Sequence, residues 1–385
     1  MTKNLDIAII GAGMGGLASA AALHKAGHDV TVYEQARQFT RLGAGIQIGC
    51  NAMHVLRGLG LEERLRADTF YPRSWNNRDW KSGDVLFDIM FGPDAEQAYG
   101  APYLLAHRGD LHAALVSAMP PERVKLNHRL TGIDQAAEGV RLSFENGHIA
   151  TADAMIAADG VHSLVKAALF GHDEPNFTGR IAYRTVYPIQ RLKDVEVLNC
   201  TKWWGEDRHV VIYPVKPDRS EIYFVTSQPE PGFELESWSA TGDVKVLREA
   251  FEGFHPDARA VINAAPEVHK RPLVDRDPLE RWVDGKVALL GDACHPMTPY
   301  MAQGGGNGDR GRRHHVALPR RRRPRRHRSS AASLRSDAQA AHLEDAVHLA
   351  PERLGQGRDR RRLGLRLQRL ESPARPRLTY FHFAK

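Results

Sequence analysis

Cysteine is scarce in this chain of 385 residues: Cys50, Cys200 and Cys294 are the only three, widely spaced and without a metal-like pair. That excludes a disulfide framework and points to a reducing, cytoplasmic compartment. Long apolar runs are missing too, so no segment reads as a bilayer-spanning helix. The first strand begins almost at once, at Ile7, which leaves no room for the basic stretch and cleavage site of a secretory signal. No internal repeat is visible, which argues against solenoids and propellers. What is present is ordinary for a globular protein: 42% apolar residues, and enough length for a large core and two domains.

The net charge of +7 is unevenly carried. Residues 305–385 hold 20 Arg and one Lys against 7 acidic residues, a net +14, which leaves −7 for residues 1–304. The basic character therefore belongs to one segment, which needs its own explanation.

The N-terminus reads as strand, glycine turn, helix, strand. Ile7 to Ile10 is the short apolar run of a buried parallel strand. Leu17 to Lys25 is alanine-rich and helical, with Gly27 where a C-cap glycine belongs, and Asp29 to Glu34 is the second strand. Asn51 to Leu59 and Leu111 to Met119 read as helices. Val140 to Phe144 and His148 to Ile156 read as strands around the Glu145-Asn146-Gly147 turn. Lys202 to Thr226 alternates and is rich in Trp, Tyr and Val, so it should supply an antiparallel sheet. Lys286 to Leu290 is another buried strand, running into Gly291-Asp292.

Gly11-Ala12-Gly13-Met14-Gly15-Gly16 fits G-x-G-x-x-G. The pattern alone is weak, but here it follows a strand, opens a helix and precedes a strand ending in an acid, the context of a dinucleotide site. Gly11 permits the tight turn, Gly13 lets the backbone approach a pyrophosphate, and Gly16 allows helix and strand to pack closely. The phosphate would sit at the helix N-terminus, where free N–H groups and the dipole favour negative charge. Glu34 would accept from ribose hydroxyls, and Gln35 beside it is a further cofactor candidate.

Three more segments make the resemblance plain: Arg41-Leu42-Gly43-Ala44-Gly45-Ile46, Ala158-Asp159-Gly160-Val161-His162-Ser163 and Gly291-Asp292-Ala293-Cys294-His295-Pro296. From residue 5 to about 304 the chain resembles the group A flavoprotein monooxygenases, the family of para-hydroxybenzoate and salicylate hydroxylases. The resemblance implies an α/β fold, with a Rossmann-like FAD-binding domain (1–70, 101–175 and 275–304) and an antiparallel-sheet substrate domain (71–100 and 176–274). It implies FAD as cofactor, with NADH or NADPH and O2 as co-substrates and no separate nicotinamide domain. By position, Asp292 would bind the ribityl chain and Arg108 would reach the pyrophosphate. Asp159 and Gly160 would brace the cofactor loop. Arg41 and Gly45, Ile46 and Gln47 would line the flavin. Pro299 would face the flavin carbon that reacts with O2, and the backbone after Gln303-Gly304 would point N–H groups at the flavin edge.

On the substrate side, Lys202 to His209, Arg41 to Gly49 and Met297 to Gly304 resemble the 6-hydroxynicotinate 3-monooxygenases within this family. His209, Val211 and Tyr213 share one face of a strand. That sets an imidazole beside a phenol, suited to deprotonating a hydroxypyridine, so His209 and Tyr213 are the catalytic candidates. Gln47, Cys200 and Pro299 are candidates for the substrate pocket, and His295 reads as structural.

After Gly304 the family would continue into a helix reading A-x-A-I-E-D-A. This chain runs instead into Arg320-Arg321-Arg322-Arg323-Pro324-Arg325-Arg326, which no core helix could hold. One nucleotide downstream, the codons from Gly306 permit A-M-A-I-E-D-A-A-I-M-S-R-C-L, the missing helix. Residues 305–385 therefore read as a shifted frame. A basic arm for nucleic acid is the competing reading, but aromatics to interleave with the arginines are almost absent and no nucleic-acid motif is visible.

The expectation is a cytoplasmic FAD monooxygenase, monomer or homodimer, without membrane or specific nucleic-acid partners. Its substrate would be a small hydroxylated aromatic or hydroxypyridine acid, 6-hydroxynicotinate favoured. The alternatives are a salicylate hydroxylase or a flavin-binding protein inactivated by its altered C-terminus.

Overall fold

Three apolar runs far apart in the chain become neighbours in one sheet. In the computed structural model, which describes residues 4–41, 43–230 and 241–301, strand β1 (Asp6–Ile10) lies between β2 (Asp29–Tyr33) and β11 (Ala154–Ala157), parallel to both. Strand β19 (Val287–Leu289) adds in parallel to β11, and β7 (Val124–Lys125) adds to β2. The short β18 (Val283–Asp284) closes one edge in antiparallel, giving the order β18-β19-β11-β1-β2-β7. Strands buried on both faces need the continuous apolar runs seen here. The helix Met14–Lys25 covers one face, burying Leu17, Ala18, Ala20 and Leu23 against Ile9, Val30 and Val32.

The predicted strand from His148 to Ile156 is two strands. Strand β10 (Ile149–Ala152) pairs with β9 (Val140–Phe144), which pairs with β8 (Leu130–Gln135), while β11 joins the parallel sheet. Asp153 is the break. Its N–H donates to the Asp6 carbonyl at 2.8 Å, and its carboxylate accepts from the Asp6 N–H at 3.1 Å, so the chain turns beside the first residue of β1.

The second large sheet has eight strands in the order β16-β17-β12-β15-β14-β13-β4-β5. They are Thr241–Gly242 (β16), Val268–Asp275 (β17), Asn176–Pro188 (β12), Glu221–Pro229 (β15), His209–Pro214 (β14), Cys200–Trp204 (β13), Ser74–Asp79 (β4) and Val85–Met90 (β5). Every pairing is antiparallel, as expected of this domain, except β13 with β4. The chain passes through the other sheet between residues 79 and 200, and so long a crossover is what parallel neighbours need.

Alternation along these strands gives the sheet two different faces. On the outer face Trp203, Val210, Ile212, Ile222 and Phe224 pack on the helices Val244–Ala250 and Pro256–Ala264. On the inner face Cys200, Val211, Tyr213 and Tyr223 pack with Ala44 and Leu105. Leu105 belongs to β6 (Leu104–His107), which pairs with β3 (Gly45–Ile48), and Ala44 leads into β3. All described residues belong to one compact unit, in which no helix is long and apolar enough to cross a membrane.

Candidate active site

Parallel strands put their C-terminal ends on one side, where open α/β sheets bind ligands. Adjacent β1, β11 and β19 therefore bring together the Gly11 turn, Asp159-Gly160 and Gly291-Asp292, although more than a hundred residues separate each from the next. The fit is tight at Gly11, whose φ is +98°: a Cβ there would lie 2.4 Å from the Ala158 carbonyl oxygen. A Cβ on Gly16 would lie 2.1 Å from the Gly11 carbonyl oxygen, so neither position admits a side chain. Around Gly13 a Cβ would meet nothing within 4 Å. The helix that starts there has no side-chain cap and no acidic residue in its first turn. Its positive end is thus left for an external anion, which fits the pyrophosphate of a dinucleotide.

Glu34 follows β2. Its carboxylate accepts from the Ala12 N–H at 2.7 Å and the Ala36 N–H at 2.8 Å, which fixes it beside the glycine turn with lone pairs to spare for ribose hydroxyls. Arg108 opens the helix Arg108–Val116, with Asp292 as an opposite charge and Arg184 as a like charge in range among the described residues. Solvent reaches both side chains, yet protein surrounds them closely. Desolvation raises the Asp292 carboxyl and lowers the Arg108 guanidinium. Asp159 accepts from the Val165 N–H at 3.3 Å, and its Oδ1 is buried with no hydrogen-bond partner among the described residues. An orphaned acceptor beside the glycine turn suits a site completed by a polar cofactor. Arg41 is committed to protein: it donates to Asp110 at 2.9 Å and to Glu221 at 2.7 Å, tying the helix Arg108–Val116 to β15.

The substrate-side candidates meet across β3, β13 and β14. Gln47 accepts a short hydrogen bond from the Tyr103 hydroxyl and places its amide nitrogen 4.0 Å from the Cys200 sulfur. The Tyr213 and Tyr223 rings lie 5.0 Å apart. A Cβ on Gly45 would come within 2.8 Å of the Tyr213 hydroxyl and 2.5 Å of the Tyr223 ring, so the backbone of β3, with Ile46 next in line, closes directly over both phenols. His209 occupies the other end of this strip, 5.6 Å from the Trp204 ring and 5.9 Å from the Tyr300 ring. Pro299 opens the turn Pro299–Met301 that carries Tyr300, whose hydroxyl lies 3.2 Å from Ser227 Oγ.

Burial decides the charge states here. Desolvation, helped by Lys202 and Arg180, holds the His209 imidazole well below its usual range. Desolvation pushes the Cys200 thiol and the Tyr213 phenol up, and brings Tyr223 to about 12. The strip therefore offers a neutral imidazole and protonated phenols. Tyr103, Lys202, Tyr223, Ser227 and Tyr300 belong to it and were not singled out from the sequence. Strand parity was readable for Lys202, Tyr223 and Ser227, but the register that aligns their strands was not, and Tyr103 and Tyr300 lie outside strands. Gln35 follows Glu34 on the nucleotide side. Gly304 and the Arg-rich tail lie outside the described residues. Two surface pockets, of about 180 and 200 Å³, lie elsewhere, beside Trp203 on the outer face and beside Lys166 and Arg276.

A glycine turn shaped for a dinucleotide, together with a sheet that turns an imidazole and phenols to its inner face, is the arrangement of a flavin-dependent aromatic monooxygenase. Residues 4–308 match the family model of an FAD binding domain, and the chain belongs to that family of flavin monooxygenases. It is 45% identical over 300 residues to 6-hydroxynicotinate 3-monooxygenase of Bordetella bronchiseptica, covering 77% of this chain and 78% of the relative. It is 42% identical over 306 residues to the enzyme of the same name from Pseudomonas fluorescens, covering 79% and 80%. Among solved structures, Klebsiella pneumoniae HpxO complexed with FAD and uric acid superposes with a TM-score of 0.74 at 26% identity, over 90% of this chain and 87% of that one.

Proposed function

We propose that the chain hydroxylates 6-hydroxynicotinate at C3, using FAD, NADH or NADPH and O2, in the cytoplasm as a monomer or homodimer. One oxygen atom of O2 is added to the ring, the other leaves as water with the two electrons of NADH or NADPH, and the C3 carboxylate leaves as CO2. The observation that carries this reading is the buried strip of β14, where a neutral imidazole and a protonated phenol face the same side of one strand. The relatives' names support the same substrate.

FAD, when bound, supplies the redox chemistry: it accepts hydride from the nicotinamide and activates O2. The protein's own task is to make the ring electron-rich and to keep water out. His209, uncharged at neutral pH, accepts the proton of the ring hydroxyl, and the Tyr213 phenol donates a hydrogen bond to the oxyanion that forms. Gly13, Gly16, Glu34, Arg108, Asp159 and Asp292 hold the cofactor. The parallel sheet draws on residues 1–70, 101–175 and 275–304, which we assign to FAD. The eight-stranded sheet draws on 71–100 and 176–274, which we assign to the substrate.

The test is NADH oxidation and product formation with 6-hydroxynicotinate and a panel of hydroxylated aromatic acids. His209→Ala and Tyr213→Phe should each lower coupled hydroxylation by about 10²- to 10⁴-fold while leaving FAD content intact. Undiminished turnover in both variants removes the two residues from the chemistry. Stimulation by salicylate alone would favour a salicylate hydroxylase, and stimulation by no acid a flavin-binding protein without turnover.

A further inference from the structure

We propose that Lys202 is the receptor for the substrate's carboxylate and so sets which way the ring lies between His209 and Tyr213. This rests on the aromatic-acid reading above. Lys202 sits on β13 opposite Val211 of β14, midway between His209 and Tyr213, with Asn77 of β4 on its other side. It faces inward with Cys200 and Trp204 and is 4% exposed. Its ammonium lies 3.4 Å from the centre of the Trp204 ring. Trp204 is itself held by Asn77, to whose Oδ1 the indole N–H donates at 2.9 Å. The indole face thus fixes the ammonium beside His209.

The inward residues of β13 and β14 are Cys200, Lys202, Trp204, His209, Val211 and Tyr213. Lys202 is the cation among them. A carboxylate taken out of water needs an opposite charge as well as hydrogen bonds, and on these two strands Lys202 supplies it. A compact ammonium on a flexible stem can meet a carboxylate without dictating the ring plane. With the carboxylate anchored at Lys202, the ring lies over Val211, between the His209 imidazole and the Tyr213 phenol. Two further cations lie on β12: Arg180, which donates to Ser227 Oγ at 2.9 Å and to the Asp207 carbonyl at 2.7 Å, and Arg184, opposite Val225 and within electrostatic range of Arg108, Tyr213 and Tyr223, which makes Arg184 the competing receptor to test.

The experiment compares two ligands on the FAD-loaded full chain: 6-hydroxynicotinate and 2-hydroxypyridine, the same ring without its carboxylate. Binding is read from the flavin absorbance change and from calorimetry. Lys202→Met should weaken 6-hydroxynicotinate by about 10- to 100-fold and leave 2-hydroxypyridine unchanged, while Lys202→Arg recovers most of the loss. Equal weakening of both ligands would mark a purely structural role and overturn the proposal. So would an unchanged affinity for the acid, or the acid-specific loss appearing in Arg184→Gln instead. If Lys202→Met fails to retain FAD, Lys202→Gln carries the same comparison. Wild-type protein that binds acids, with Lys202 variants binding them equally well, sinks this inference alone. Wild-type protein that binds no aromatic acid sinks both readings.

Discussion

Alanine at Gly11 and at Gly13, two residues apart in one turn, should act with opposite sign on the apoprotein. At Gly11 the left-handed backbone, φ +98°, costs an L-residue about 1–2 kcal/mol. The new methyl would also stand 2.4 Å from the Ala158 carbonyl oxygen and 2.8 Å from its carbon. Both are backbone atoms, so relief requires parting the ends of β1 and β11, an overpacking cost of about 1–3 kcal/mol. The sum, about 2–5 kcal/mol, is a large share of a domain's stability. At Gly13 the backbone is extended, φ −70° and ψ 176°, which alanine adopts freely. Nothing stands within 4 Å of the new methyl, so restricting the unfolded chain should stabilise by about 0.4–1 kcal/mol. That open space is the one the pyrophosphate needs, so Gly13→Ala should weaken FAD by about 10- to 100-fold, a loss of about 1.4–2.8 kcal/mol. Urea unfolding of the apoproteins, followed by tryptophan fluorescence, reads the first effect as a lower midpoint for Gly11→Ala and an equal or higher one for Gly13→Ala. Titration with FAD reads the second, and added FAD should raise the unfolding midpoint of wild type far more than that of Gly13→Ala. Wild-type FAD affinity in Gly13→Ala would show that the phosphates do not lie there. A wild-type midpoint in Gly11→Ala would show that the turn does not press on Ala158.

Asp110 should give the protein an acid-sensitive step. Burial raises its carboxyl, but hydrogen bonds from Arg41 and Lys216 outweigh that and bring it to about 2. A carboxyl depressed in the folded state stabilises fully above its unfolded value, near 4, and that stabilisation is lost as pH falls through about 2. Asp110→Asn should therefore be less stable at pH 7 and flatter in urea-derived stability between pH 5 and pH 2.5; the same acid dependence as wild type would refute the assignment. For residues 305–385 we propose a shifted frame. Resequencing the gene should show one base too many near the Gly304 codon, and removing it should tighten FAD binding. An intact mass with the arginine tail in native, fully flavinylated and active protein would end that reading.

What was legible in the sequence was what depends on near neighbours. Gly11, Gly13 and Gly16 each answer to a constraint inside one strand-turn-helix unit, so their roles follow from spacing alone. Parity within β14 likewise put His209 and Tyr213 on one side. Asp159 and Asp292 are a different case. Nothing local distinguishes them from surface acids, and only family resemblance brought them to the cofactor, because the adjacency of β1, β11 and β19 is a property of the whole topology. Nothing local shows that the Arg41 guanidinium holds Asp110 and Glu221, the latter 180 positions away. Asp153 was read through as mid-strand because β10 and β11 are one residue apart, and only its pair of hydrogen bonds with Asp6 separates them. Lys202 follows the same logic. Alternation in β13 could have placed it beside Cys200, but its place across from Val211, between the imidazole and the phenol, depends on the pairing of β13 with β14. The step from strand parity to sheet register is therefore where the candidate active site gains its cation.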